Sequence, residues 1–214
     1  FVRILASKNT SHPKYNEAQE TYNKERKKYT ELKQQYSSIL EQINTAEKAI
    51  LNYLKKDSFT KEDVYNIKTK DQSLARDVSI IKQSYGFGYD SIEDLKKDLN
   101  RDLKSFNERL DYNLNIDFDG RSIVKDDPND LNDRNYGNNN VMPKKGRSHG
   151  THVSGIIAAT RNNGIGINGA ANNVKIMAIR NTPNGDEYDK DVALGVYYAV
   201  DNGAKVINMS FGKG

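Results

Sequence analysis

Apolar and aromatic side chains recur at seven-residue intervals from Tyr15 onward: Tyr15, Tyr22, Tyr29, Tyr36, Ile43 and Ile50. Ala18, Leu32, Ile39, Ala46 and Tyr53 stand three places after members of that row, and one row position, Glu25, is charged. A stripe of this period is the seam of a coiled-coil-like helix. Neither Gly nor Pro interrupts Lys14 to Lys56, so the spacing predicts one helix over about 14–56, roughly 60 Å long at 1.5 Å per residue. Thr60 with Asp63 is an N-cap pattern. It predicts a second helix over about 60–84 that carries Val64, Ile67, Leu74, Val78 and Ile81 up to Gly86-Phe87-Gly88. Ser91 with Asp94 starts a third, over about 91–111, with the stripe Ile92, Leu95, Leu99, Leu103, Phe106 and Leu110. Three helices with one apolar face each predict a small antiparallel bundle or helical hairpin. Tyr hydroxyls at seam positions need water or a polar partner, so the first helix is expected to be half buried. The Tyr row is read as packing, with docking of a protein partner as the alternative.

Beyond Tyr112 the pattern changes. Residues 1–112 hold 2 of the 15 Gly and 9 of the 13 Tyr, and residues 113–214 hold the other 13 Gly. An acidic, Asn-rich loop over 113–145 gives way to a helix from His149. An apolar strand over 173–180, a helix over 189–202 closed by Asn202-Gly203, and a strand over 204–210 follow. Strand, helix and strand in that order predict a βαβ unit of a parallel sheet. The fold class is therefore expected to be α/β: a partial parallel sheet flanked by helices, preceded by an all-α segment 1–112.

Charge and composition narrow the function classes. The formal net charge is +4, with 21 basic and 18 acidic residues in 1–112, too evenly mixed for a nucleic-acid surface. No run of 18 apolar residues exists, so no membrane-spanning helix is expected. Without Cys there is no disulfide, thiolate metal site or Cys nucleophile. The start, Phe1-Val-Arg-Ile-Leu, has neither Met nor a secretion-signal pattern, and the chain reads as an internal segment.

Two motifs carry chemistry. His149-Gly-Thr-His-Val-Ser-Gly155 resembles the histidine motif of the subtilisin-like serine peptidases, the subtilases, and Val206-Ile-Asn-Met-Ser-Phe-Gly212 resembles their substrate-binding strand. Their order and separation, and the strand and helix between them, are similar to the family's, over about residues 146–214. The wording of the 189–206 stretch looks like subtilases of the Bacteroidetes. The resemblance implies a subtilisin-like sheet and a Ser/His/Asp triad. It makes His149 the general base that takes a serine's proton and His152 structural. It also makes Ser210, Phe211 and Gly212 a strand that pairs with extended substrate, with Asn184 and Gly185 on the opposite wall of the cleft. Asp186 and Glu187 there are read as favouring basic substrate residues. Nothing nearby supplies the Glu of a helical zinc-protease motif, so no metal role is assigned to the His pair.

The resemblance also calls for an Asp before His149 and a Ser after it. Asp117 and Asp119 stand 32 and 30 residues before His149. They are rejected because a bulky Phe follows the first and Phe precedes the second, in place of the family's apolar strand and small residues. Asn208 is not assigned an oxyanion role. The Asp is expected upstream of Phe1 and the Ser downstream of Gly214, which makes residues 1–112 a helical insertion and the segment inactive alone. No cofactor is required; the Asp-rich stretch from Asp117 through Asp126, Asp127 and Asp130 to Asp133 leaves room for calcium as a structural ion, as subtilases commonly use. The implied function is a serine endopeptidase acting on polypeptides, secreted or in the cell envelope. The alternative is an inactive pseudopeptidase or binding module whose helices dock a protein partner.

Overall fold

A stretch without Gly or Pro satisfies its backbone amides most locally as a helix, and an apolar stripe along it then demands neighbours. The structure is a computed structural model that describes residues 1–142, 149–182 and 187–212. The chain divides into two units, Phe1–Phe118 and Asp119–Gly214.

In the first unit a short helix, α1 (Val2–Ala6), precedes α2 (Tyr15–Leu54), which contains 40 residues. His12 makes the turn into α2: its Nδ1 accepts from the Lys14 amide at 3.1 Å and its carbonyl from the Tyr15 amide at 2.9 Å. Lys55 ends α2 in the left-handed conformation, with φ 54. Along the stripe Tyr15, Tyr22, Tyr29 and Tyr36 are half buried, whereas Ile43, Ala46 and Ile50 are buried.

The single helix expected from Thr60 to Gly86 is in fact two, α3 (Lys61–Asn66) and α4 (Gln72–Gly86). Ile67 takes an extended conformation, with ψ 119, and Asp71 caps a new start by accepting from the Ser73 and Leu74 amides at 2.8 and 3.2 Å. A short carboxylate side chain that can serve two orphan amides favours a fresh helix end over continuation. Thr60 and Asp63 form the expected reciprocal cap on α3, each side chain accepting from the other's amide at 3.1 and 2.9 Å.

Ser91 caps α5 (Ile92–Glu108), its Oγ accepting from the Asp94 amide at 3.1 Å. The helix then passes into a π-helical turn, Arg109–Asn113. Helix α5 runs antiparallel to α2. Lys96 pairs with Glu47 at 2.7 Å, the Phe106 ring meets Tyr36 edge-on at 5.1 Å, and Arg26 donates to the Leu114 carbonyl at 2.7 Å. The core lies where α2, α3, α4 and α5 converge, around Ile50, Val64 and Ile81, all fully buried. Each such side chain contributes about 1.5–3 kcal/mol by leaving water.

The second unit holds α6 (Arg121–Val124), α7 (His149–Ala158) and α8 (Asp189–Asp201). The parallel sheet expected here is absent: no strand occurs among the described residues. Segments 173–180 and 204–210 carry no ladder, and their apolar side chains face solvent, with Val174 49%, Ile176 47% and Val206 88% exposed. An apolar run bounded by turns is a local signal. A parallel strand is a non-local structure that exists only with backbone partners beside it and cover on both faces. Neither condition is met in the described residues.

The chain leaving α7 folds back on it. Gly169, Ala170 and Ala171 donate their amides to the carbonyls of Ala159, Ile156 and Ile157 at 3.1, 2.8 and 2.8 Å, and so satisfy the helix's last acceptors. A Cβ on Gly169 would stand 2.4 Å from the Ala159 nitrogen, so only Gly permits this approach.

Three outcomes follow from this packing. Ile50→Ala leaves a cavity at the bundle centre and is expected to lower stability by about 2–5 kcal/mol in chemical denaturation followed by helix signal. Asp63 is held at about 2 by the hydrogen bond from Lys56 and then by the Thr60 amide and hydroxyl, against an ordinary value of 3.8. Its folded value is the depressed one, so its contribution is present above pH 3.8 and is lost as pH falls towards about 2. Asp63→Asn should flatten that part of the acid unfolding curve. Gly169→Ala should cost more than the ordinary gain from replacing Gly and should loosen the amides of Gly169 to Ala171 in hydrogen exchange; an unchanged exchange pattern would contradict the close approach.

Candidate functional site

Helix α7 is built from the His-Gly-Thr-His motif. With Gly150 and Gly155 inside it the helix is intrinsically weak, and the return of Gly169 to Ala171 onto its last carbonyls compensates. His149 occupies its first turn and is exposed, as is His152 three residues later on the same face. Among the described residues neither imidazole meets a hydrogen-bond partner in this unit. The structural role expected for His152 would require packing, and its exposure does not supply it.

Ser210, Phe211 and Gly212 follow the extended segment 204–210 and are exposed. Asn208 donates its side-chain amide to Ser210 Oγ at 2.8 Å. No hydrogen bond joins His149 to these three residues among the described residues. Asn184, Gly185 and Asp186 lie outside the described residues. The carboxylate of Asp119 is engaged locally, accepting from the Arg121 and Ser122 amides at 2.9 and 3.3 Å in the first turn of α6. That leaves it serving a helix end rather than orienting an imidazole.

The electrostatic centre of the second unit lies elsewhere, between the acidic loop and the first turn of α8. Arg121 forks onto Asp191, with Nη1 to Oδ2 at 2.9 Å and Nη2 to Oδ1 at 3.1 Å. Its Nε faces Asp126 Oδ1 at 2.8 Å, and its guanidinium lies 4.4 Å from the centre of the Tyr188 ring. These two atoms form an ion pair without good hydrogen-bond direction, so neither is orphaned although both are buried. Tyr136 donates its hydroxyl to Asp191 Oδ1 at 2.6 Å. Lys190 donates to Asp126 Oδ2 at 2.9 Å and to the Asp127 carbonyl, stands 3.5 Å from Asp133 Oδ2, and lies 4.5 Å from the centre of the Tyr136 ring. The side chains of Asp126 and Lys190 are 0% and 3% exposed.

The charge states fit the geometry. Burial acts to lower the Lys190 value, but the hydrogen bond and charge of Asp126, with the charge of Asp133, outweigh it and hold Lys190 above the ordinary lysine value. Asp133 is held low, first by the Asp127 amide. Burial and then the bond to Asp191 push the Tyr136 hydroxyl up, so it remains a donor. Sequence reasoning read this stretch as a solvated turn or a calcium loop and passed over Arg121, Tyr136, Lys190 and Asp191. The available signal was two basic residues, Arg121 and Lys190, set among carboxylates. Among the described residues no three His, Asp or Glu side chains stand together so as to hold a metal ion.

Comparison with known proteins gives the context. The sequence profile of the subtilase family matches residues 9–214. The chain is 46% identical over 78 residues to the cell wall-associated protease of Bacillus subtilis (strain 168), covering 36% of this chain and 8% of that protein. It is 40% identical over 104 residues to the thermophilic serine proteinase of Bacillus sp. (strain AK1), covering 48% and 24%. It is 47% identical over 75 residues to thermitase of Thermoactinomyces vulgaris, covering 35% and 27%. The chain thus spans 8% to 27% of the length of these relatives. No solved structure gives a significant match. The profile match takes in nearly all of both units, and on it the chain belongs to the subtilase family.

Proposed function

We propose that the protein is a serine endopeptidase in which His149 is the general base. The observation that carries this reading is the His149-Gly-Thr-His-Val-Ser-Gly155 motif, set at the start of α7 with its first imidazole open to an incoming hydroxyl, in a chain of the subtilase family. A serine hydroxyl is a weak nucleophile at neutral pH. An imidazole within hydrogen-bond reach removes its proton as the hydroxyl oxygen bonds to the peptide carbonyl, then returns that proton to the leaving amine. An acyl-enzyme forms and water hydrolyses it by the same proton route.

Ser210, Phe211 and Gly212 are the part of this chain proposed to meet substrate backbone, with Asn184 and Gly185 facing them. The exposed backbone of residues 210–212 supports that role, because an extended peptide needs free amides and carbonyls to pair with. The nucleophilic serine and the orienting aspartate are assigned to no residue of this chain, so residues 1–214 alone are expected to cleave nothing. Among the described residues no helix is long and apolar enough to cross a membrane. Substrates are proposed to be polypeptides, met outside the cell or at its envelope; the names of the cell wall-associated relative and of the extracellular basic protease of Dichelobacter nodosus support that location.

The test is His149→Ala in the full-length protein. Peptide hydrolysis should fall by at least about 10⁴-fold, with labelling by a serine-directed fluorophosphonate lost in parallel and the melting temperature little changed. Retained hydrolysis in the His149→Ala protein would overturn the assignment.

A further inference from the structure

We infer that the ammonium of Lys190 is the resident cation of the acidic loop, standing where a structural calcium ion would otherwise be expected, and that residues 120–136 are held on α8 without metal. This inference does not depend on the peptidase reading. Two carboxylate oxygens, from Asp126 and Asp133, and the Asp127 carbonyl converge on Lys190 Nζ. These are the oxygen types that bind calcium, but the Asp126 and Asp133 separations are 2.9 and 3.5 Å. Those are distances from an ammonium rather than the roughly 2.3–2.6 Å of calcium coordination.

Every carboxylate of the stretch already has another use. Asp126 is shared between Lys190 and Arg121, and Asp191 between Arg121 and Tyr136. Asp133 also accepts from the Asp127 amide at 2.8 Å. Asp127 and Asp130 accept from the amides two residues on, at Asn129 and Asn132, at 2.9 and 2.8 Å. Asp119 serves the first turn of α6. A divalent ion needs six to eight oxygens and here would lie against a buried ammonium of like charge. The cation is instead supplied by covalent attachment to α8. The junction between loop and helix therefore does not depend on the concentration of any ion.

Hydrogen exchange of the full chain, read by mass spectrometry, tests this. In the wild-type protein, peptides covering 120–136 and 189–201 should exchange at the same rate in millimolar calcium chloride and in excess chelator. In Lys190→Met the carboxylate of Asp126 loses its ammonium partner, and exchange in 120–136 should speed up on the order of a hundredfold. Peptides from α2 should not change, which shows that the variant still folds. Tenfold or greater acceleration of the wild-type loop on chelation would overturn the inference, and the comparison needs no variant. Unchanged loop protection in a folded Lys190→Met would overturn it equally.

Discussion

A helix 40 residues long can be stable in water only if something covers its apolar stripe, and in the first unit the arrangement of every other helix answers that requirement. Helix α4 packs along the end of α2 that carries Ile43, Ala46 and Ile50, α3 closes that end with Val64, and α5 returns along α2 towards Arg26. The stripe is not uniform. Its aliphatic end is sealed by three helices, whereas its Tyr end is covered mainly by Phe106 and the turn after α5, with cations over the rings: Arg109 lies 5.6 Å from the centre of Tyr29. Half-buried rings with hydroxyls at the rim suit that shallower cover, as Leu in the same places would not.

The second unit is held by different physics. Among its described residues Ala199 is the one buried apolar side chain, while a lysine and an aspartate are buried side by side. Ion pairs of this kind owe their value to completeness: desolvating each charge is costly, and the mutual attraction offsets the cost only when every donor and acceptor is met. Here Arg121 uses its fork and its Nε, Lys190 points at three oxygens, and the Tyr136 hydroxyl supplies Asp191 with a further donor. The first turn of α8 and the loop 120–136 are joined by this network rather than by an apolar layer.

What was legible in the sequence was what is local. The seven-residue row falls on α2 and the Ser91 cap falls at the start of α5 because both signals lie within one or two turns of the chain. The break between α3 and α4 was missed, since the apolar period ran on through it while Asp71, a cap in plain view, was not weighed. The sheet was misread for the opposite reason. Strand-like composition at 173–180 and 204–210 says nothing about whether a neighbour lies within hydrogen-bonding distance. His149 was legible as a motif, because its neighbours in sequence identify it. Lys190 was not, because the partners that give it meaning lie 57 to 64 residues away.

The π-helical turn at Arg109–Asn113 follows the 17 residues of α5 and is followed at once by Leu114, which is fully buried and whose carbonyl receives Arg26. A π turn holds one residue more than an α turn over about the same rise. Removing a single residue there would let the helix run on in α form and rotate everything after it by about 100°, carrying Leu114 off the face that meets α2. Along most of α5 a side chain can change while the length stays the same; at this turn the length itself is the conserved quantity. Natural variants of this unit should therefore tolerate insertions and deletions in the connection between α1 and α2 far better than between Glu108 and Leu114.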